Sequence, residues 1–168
     1  MKKLLLLDAD VIIDLHAFGL FDTVANAYAL KVVREVFKEA KYYKKGNSRI
    51  LINISGKVAI IENISVECLQ KVVVEAQEAG LAMDQGETES IAYLLQDEED
   101  ATLCTCDAAG IKCIAYMQLE HKPVSLESVL RTSGHYRGRR LLPRHLESTF
   151  RKNQNDGKAL RVQRKKLF

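Results

Sequence analysis

The chain opens on four consecutive leucines, Leu4 to Leu7, which run straight into the acids Asp8 and Asp10. A stretch that short, with no polar alternation, reads as a strand buried on both faces, as in the middle of a parallel sheet covered by helices. This feature narrows the fold more than any other, because a sheet that hides both faces needs a helix layer on each side. The expected class is therefore α/β, three layers α/β/α around a mostly parallel central sheet. Asp8 then stands at the carboxyl end of its strand, the edge at which open α/β sheets bind ligands. A structural alternative carries equal weight at this point: Asp8 or Asp10 caps the helix that follows.

The 168 residues suit a single domain with a sizeable core. The leucine run is too short and too closely followed by acid for a membrane span or a signal sequence, so no membrane partner and a cytoplasmic location are expected. Cys68, Cys104, Cys106 and Cys113 form no C-x-x-C pair and have no spaced histidines. They read as small buried residues rather than zinc ligands. Charge is unevenly spread. Residues 1–120 hold 12 Lys and Arg against 19 Asp and Glu, a net −7, whereas residues 121–168 hold 13 against 3, a net +10. An acidic body, residues 1–130, followed by a basic and partly flexible extension, residues 131–168, is the organisation this predicts.

Apolar spacing predicts helices over Val11 to Leu20 and Phe21 to Tyr28, a strand over Ala29 to Val33, and a helix over Glu35 to Tyr43. Residues 44–63 carry turn signals at Gly46-Asn47 and Ser55-Gly56 and read as a hairpin or a lid. Ser65 caps a helix that stops at Gly80. Another helix follows Asp84 and runs to about Gln96. A second apolar strand, Ala101 to Thr105, also ends at an acid, Asp107, and leads into a helix over Ala108 to Leu119. Pro123 ends that element, and Ser125 caps a short helix to Leu130. Beyond Thr132 the composition is that of a tail, with one helix expected over His145 to Phe150.

Two buried strands ending in Asp8 and Asp107 bring these carboxylates together if they are neighbours in one parallel sheet. Glu87 belongs with them by helical phase, four residues before Ile91 and seven before Leu94, so it continues the buried stripe. The D-x-x-E spacing from Asp84 equally permits a capping box. Glu39, three residues after Val36, borders the apolar face of its helix, and there the alternative is an ordinary amphipathic edge residue.

The pieces LLLLDADVIIDL at the start, KVVREVFKEA at 31–40, GETESIAYLL at 86–95, LCTCD at 103–107 and PVSLESVL at 123–130, in this order and spacing, resemble the PIN-domain nucleases. That family includes the VapC-type toxins of toxin–antitoxin pairs. The resemblance covers residues 3–130. It implies that Asp8, Glu39, Glu87 and Asp107 form the catalytic, metal-holding set, with Glu89 in reserve for Glu87, and that the cofactor is Mg²⁺ or Mn²⁺. It implies a divalent-metal-dependent endoribonuclease that leaves a 5′-phosphate and a 3′-hydroxyl, with RNA as substrate, a cognate antitoxin as a partner and a homodimer as the assembly. Carboxylates alone suffice for such chemistry, since hard ions take oxygen ligands and activate water toward phosphorus. The family's further acid shortly after the position of Asp107 is replaced here by Ala108-Ala109-Gly110, a departure that leaves one or two metal ions as open alternatives.

Two other readings stay open. The D-x-D of Asp8 and Asp10 also resembles the haloacid-dehalogenase-like phosphatases, with Asp8 as nucleophile and Asp10 as general acid, although the paired acids that follow a later strand in that family are reduced here to Asp107. A PIN-like module that binds RNA or protein without cutting is the third. For nucleic acid, the expected contacts are the cations of the extension: Arg137, Arg139, Arg140, Arg144, Arg151, Lys152, Arg161, Arg164, Lys165 and Lys166. His16, His121, His135 and His145 are scattered and are not expected to be ligands.

Overall fold

A computed structural model describes residues 1–96, 99–136 and 140–167. Leu4–Leu7 forms β1, and β2 is Ala29–Val33, β5 Ala59–Ile61, β6 Thr102–Cys104 and β7 Pro123–Val124. Together they make one sheet in the order β5-β2-β1-β6-β7, with every neighbouring pair parallel. β1 lies in the middle, in register with β2 (Leu5 opposite Leu30) and with β6 (Leu7 opposite Cys104). Leu5, Leu6 and Leu7 are at most 1% exposed, as an uninterrupted apolar run in a doubly covered strand must be.

The helices are α1 (Ala9–Ala17), α2 (Phe21–Ala27), α3 (Arg34–Glu39), α4 (Val66–Glu78), α5 (Gln85–Gln96), α6 (Ala108–Tyr116), α7 (Leu126–Thr132) and α8 (Glu147–Lys165), with a 3₁₀ turn at Pro143–His145. Right-handed crossovers between parallel strands assign α1–α3 and α4–α6 to opposite faces. α1 lies on α2 and α5 lies on α4 and α6, while the short α3 touches both α1 and α5. The α/β sandwich expected from the sequence is thus the architecture observed. No helix among the described residues is long and apolar enough to cross a membrane.

The chain leaves β1 toward β2 and β5, then returns to place β6 on the other side of β1. The direction of winding reverses between β1 and β6, which opens a crevice at their carboxyl ends. Both strands end there in an acid.

Several local expectations are corrected. The helix over Glu35 to Tyr43 stops at Glu39, where Ala40 leaves helical geometry (ψ 64). Tyr42–Lys45 then forms β3, paired antiparallel with β4, Ser48–Leu51, around the Gly46-Asn47 turn. Aromatic β-formers and a two-residue turn outweigh the helical spacing there. Residues 44–63 are therefore divided: the hairpin stands apart, and β5 joins the main sheet beside β2. Pro123 does more than end a helix, since it opens the edge strand β7, where a missing N–H costs nothing. α6 ends at Tyr116 rather than Leu119, closed by Gln118 in left-handed geometry (φ 64).

The segment after Thr132 departs furthest from its composition. His145 is fully buried, and the helix expected over 145–150 runs from Glu147 to Lys165 and packs along α6. Gly157 makes that approach possible, because a Cβ there would stand 2.3 Å from the Lys112 carbonyl oxygen. α8 is too polar to advertise itself by a broad apolar stripe, and a small-residue contact replaces one.

Candidate active site

Asp8 ends β1 and is 7% exposed. Its Oδ1 accepts the Ala9 N–H at 2.8 Å and its Oδ2 accepts the Thr105 hydroxyl at 3.0 Å. Asp8 therefore does cap α1, and it also points into the crevice beside β6. Burial pushes its carboxyl up to about 6, against the lowering effect of those two hydrogen bonds, and repulsion from Asp10 and Asp84 adds to the rise.

Asp107 follows β6 and caps α6, its Oδ1 accepting the Gly110 N–H at 3.0 Å. Thr105 joins the two acids, giving its hydroxyl hydrogen to Asp8 while its oxygen accepts the Asp107 N–H at 3.2 Å. Glu87 arrives from the first turn of α5 and is 8% exposed. Its Oε2 accepts the Asp84 N–H at 3.1 Å, and its own N–H donates to Asp84 Oδ1 at 2.8 Å. The capping box is thus present, and Glu87 is buried among acids as well. Its carboxyl is held far above the ordinary carboxylate range, first by burial, then by Asp107, which both repels it and shares a hydrogen bond with it, then by Asp84 and Asp8.

Glu39 closes α3 at the rim. Exposed as it is, its carboxyl is raised by partial desolvation and by Asp84 and Asp8. Gly86 brings the helices together here, since a Cβ on it would meet Val36 Cγ2 at 3.1 Å and Glu39 Oε2 at 3.3 Å. All four acids singled out in the sequence therefore act electrostatically on one another or on common neighbours. Glu89 does not take part in this way; its carboxylate accepts the Gln85 side-chain amide at 2.8 Å on the exposed side of α5.

Two participants escaped the sequence reading. Asp84 is a fifth acid of the group, whereas its spacing alone indicated only a cap. Thr105 sits two residues before Asp107, hence on the same side of an extended chain, and that parity is the signal that marks it.

A second acidic position lies beside the first. Asp14 of α1 accepts two hydrogen bonds from Arg144 at 2.8 and 2.6 Å, and its Oδ2 pairs with His145 Nε2 at 2.7 Å. His145 Nδ1 accepts the Leu142 N–H at 3.1 Å, which leaves the imidazole proton on Nε2, donated to Asp14. Asp10, the second acid of the D-x-D, turns toward Arg144 at 3.7 Å.

The cations of the extension are used unequally. Arg144 is taken up as just described, Arg151 pairs with Glu147 at 2.8 Å, Lys152 with Asp156 at 3.2 Å, and Arg164 with Glu78 and the Tyr116 hydroxyl. Arg140, Arg161, Lys165 and Lys166 have no ion-pair partner among the described residues. Arg137 and Arg139 lie outside the described residues. Arg161, Arg164 and Lys165 line a cleft of about 430 Å³ with Tyr116 and Gln118, at the opposite end of α6 from Asp107.

The donor set is all oxygen and strongly anionic, the chemistry that hard divalent cations require. Among the described residues, no group of three or more His, Cys, Asp or Glu side chains stands arranged to hold a metal ion. The carboxyls of Asp8, Glu87 and Asp107 instead each accept a backbone N–H group. No family model matches the chain, and neither a curated protein nor a solved structure matches it.

Proposed function

We propose that the chain is a PIN-like, divalent-metal-dependent endoribonuclease. The observation that carries this reading is the convergence of Asp8, Glu87 and Asp107 from three different elements on the crevice where the sheet reverses its winding. Two such acids at 7% and 8% exposure are costly to ionise, a cost that a bound cation offsets. Asp8, Glu87 and Asp107 would hold Mg²⁺ or Mn²⁺, with Glu39 and Asp84 at the rim. The chemistry such an ion supplies is activation of water and relief of charge on the phosphodiester. Thr105 keeps the Asp8 carboxylate turned into the crevice, and the Asp84–Glu87 box does the same for Glu87. A cation held there would favour the ionised form of Glu87, against the burial that raises its carboxyl.

Arg140, Arg161, Lys165 and Lys166, without an ion-pair partner among the described residues, are the members of the extension best able to meet RNA phosphates. A homodimer, a cognate antitoxin and a cytoplasmic setting are further parts of the proposal. The first two follow from the family resemblance alone, and the third from the shortness of the leucine run.

The test is cleavage of single-stranded RNA by the purified chain with Mn²⁺ or Mg²⁺. Chelator should stop it, and Asp8→Asn and Asp107→Asn should abolish it while retaining the wild-type circular dichroism. Either variant cutting at the wild-type rate overturns the assignment. Turnover of a small phosphate ester without RNA cleavage would favour the phosphatase reading, and RNA binding without cutting would favour the non-catalytic module.

A further inference from the structure

The hairpin β3–β4 has no part in the acid cluster, yet it starts beside it: the Lys41 N–H donates to the Glu39 carbonyl oxygen at 2.8 Å, and Ile52 N–H closes the root onto Lys41 at 2.8 Å. Strand alternation divides its side chains between two faces. Tyr43 and Ile50, opposite each other, turn inward, and the Tyr43 ring lies 5.9 Å from that of His16. The outward face carries Tyr42 opposite Leu51, 50% and 67% exposed, and Lys44 opposite Arg49, both exposed.

Lys44 and Arg49 form a like-charge cross-strand pair, an arrangement that weakens a hairpin. Neither has an ion-pair partner among the described residues. The fold gains nothing from the pair, whereas an anion seated between the two side chains would relieve it. Residues 1–120 carry a net −7 (12 Lys and Arg, 19 Asp and Glu), so a polyanion approaching the acids is repelled unless a cationic path leads there. A self-contact through this face is disfavoured, because two-fold symmetry would set Lys44 and Arg49 against their own copies.

We infer that the outward face of the β3–β4 hairpin, Tyr42, Lys44, Arg49 and Leu51, is a platform for single-stranded RNA that leads the strand to the acid site. Tyr42 offers a ring on which a base stacks, and Lys44 and Arg49 take consecutive backbone phosphates. The four residues of β3 span about 14 Å, so the platform reaches from the tip of the hairpin to Glu39. This inference rests on the nuclease reading for the substrate's destination, and its test is kept separate from activity.

The experiment is fluorescence anisotropy of a labelled single-stranded oligoribonucleotide with the full chain in chelator, across a salt series. The double variant Lys44→Ala, Arg49→Ala should bind about tenfold more weakly at low salt. It should also lower the steepness of the log–log salt dependence by about 1.4, or 0.7 for each of two phosphates. Tyr42→Ala should weaken binding about tenfold with the salt slope unchanged, since stacking is uncharged. The side chains are exposed and the double variant removes a like-charge pair, so melts at or slightly above wild type should accompany its loss of binding. An unchanged affinity and slope in the double variant would overturn the inference. So would a change of oligomeric state by sedimentation, which would assign the face to a second copy. If wild type cuts RNA and the double variant cuts with the same KM, the platform fails alone. Binding that depends on the β3–β4 hairpin, by a chain that never cuts, retires the nuclease and leaves the platform standing.

Discussion

Asp8→Asn should change stability in opposite directions at neutral and acidic pH. The folded state raises the Asp8 carboxyl from 3.8 to about 6, which corresponds to a penalty of roughly 3 kcal/mol once the group is ionised in both states. Below the unfolded value the carboxyl is protonated in either state and the penalty is absent. It grows as pH rises through the unfolded and then the folded value, and it is complete near pH 7. Asn removes it. The substitution keeps an oxygen for the Ala9 N–H, so the cap survives, but it forfeits the best acceptor for the Thr105 hydroxyl, a loss of about 1 kcal/mol. The net gain near pH 7 is about 2 kcal/mol, or roughly 4–8 °C for a chain of this size. Below about pH 3 only the hydroxyl loss remains, and the variant should melt slightly below wild type. Thermal melts of both proteins in chelator across this range measure the crossing. Saturating Mn²⁺ should stabilise wild type, because an ion bound only by the native state contributes by mass action, and should stabilise the variant much less. A variant that melts at or below wild type near pH 7, or a difference that keeps one sign at all pH values, would refute the reasoning.

Gly157→Ala should destabilise the protein by about 1–3 kcal/mol, because the added Cβ would stand 2.3 Å from the Lys112 carbonyl oxygen and 2.9 Å from its Cα, backbone that cannot give way easily. In an undocked helix the same change stabilises by about 1 kcal/mol, so the sign of the shift in the urea midpoint decides whether α8 is seated on α6. Asp14→Ala should cost about 3 kcal/mol, since it leaves the fully buried His145 and the two Arg144 hydrogen bonds without their acceptor. A double-mutant cycle with Arg144→Ala should show coupling, and purely additive losses would mean that the pair contributes nothing.

The leucines of β1 determined by themselves that this chain must build a sheet covered on both faces, because an uninterrupted apolar run can be satisfied in no other strand environment. Helical phase likewise put Glu87 on the buried stripe of α5, and strand ends put Asp8 and Asp107 at the carboxyl edge of the sheet, since periodicities of two and 3.6 residues are local properties. Whether β1 and β6 lie side by side is not local. Only the order in which the strands assemble made Asp8 and Asp107 neighbours, recruited Asp84 as a fifth acid, and set the buried Glu87 of the D-x-x-E cap against Asp107. The same holds for residues after Thr132, whose composition is that of solvated chain. Their seat depends on Asp14 meeting Arg144 and His145, 130 and 131 residues away, and on the absence of a Cβ at Gly157. Contacts across such separations leave no trace in local spacing or composition, because the energy that selects them comes from surfaces that exist only once the chain has folded.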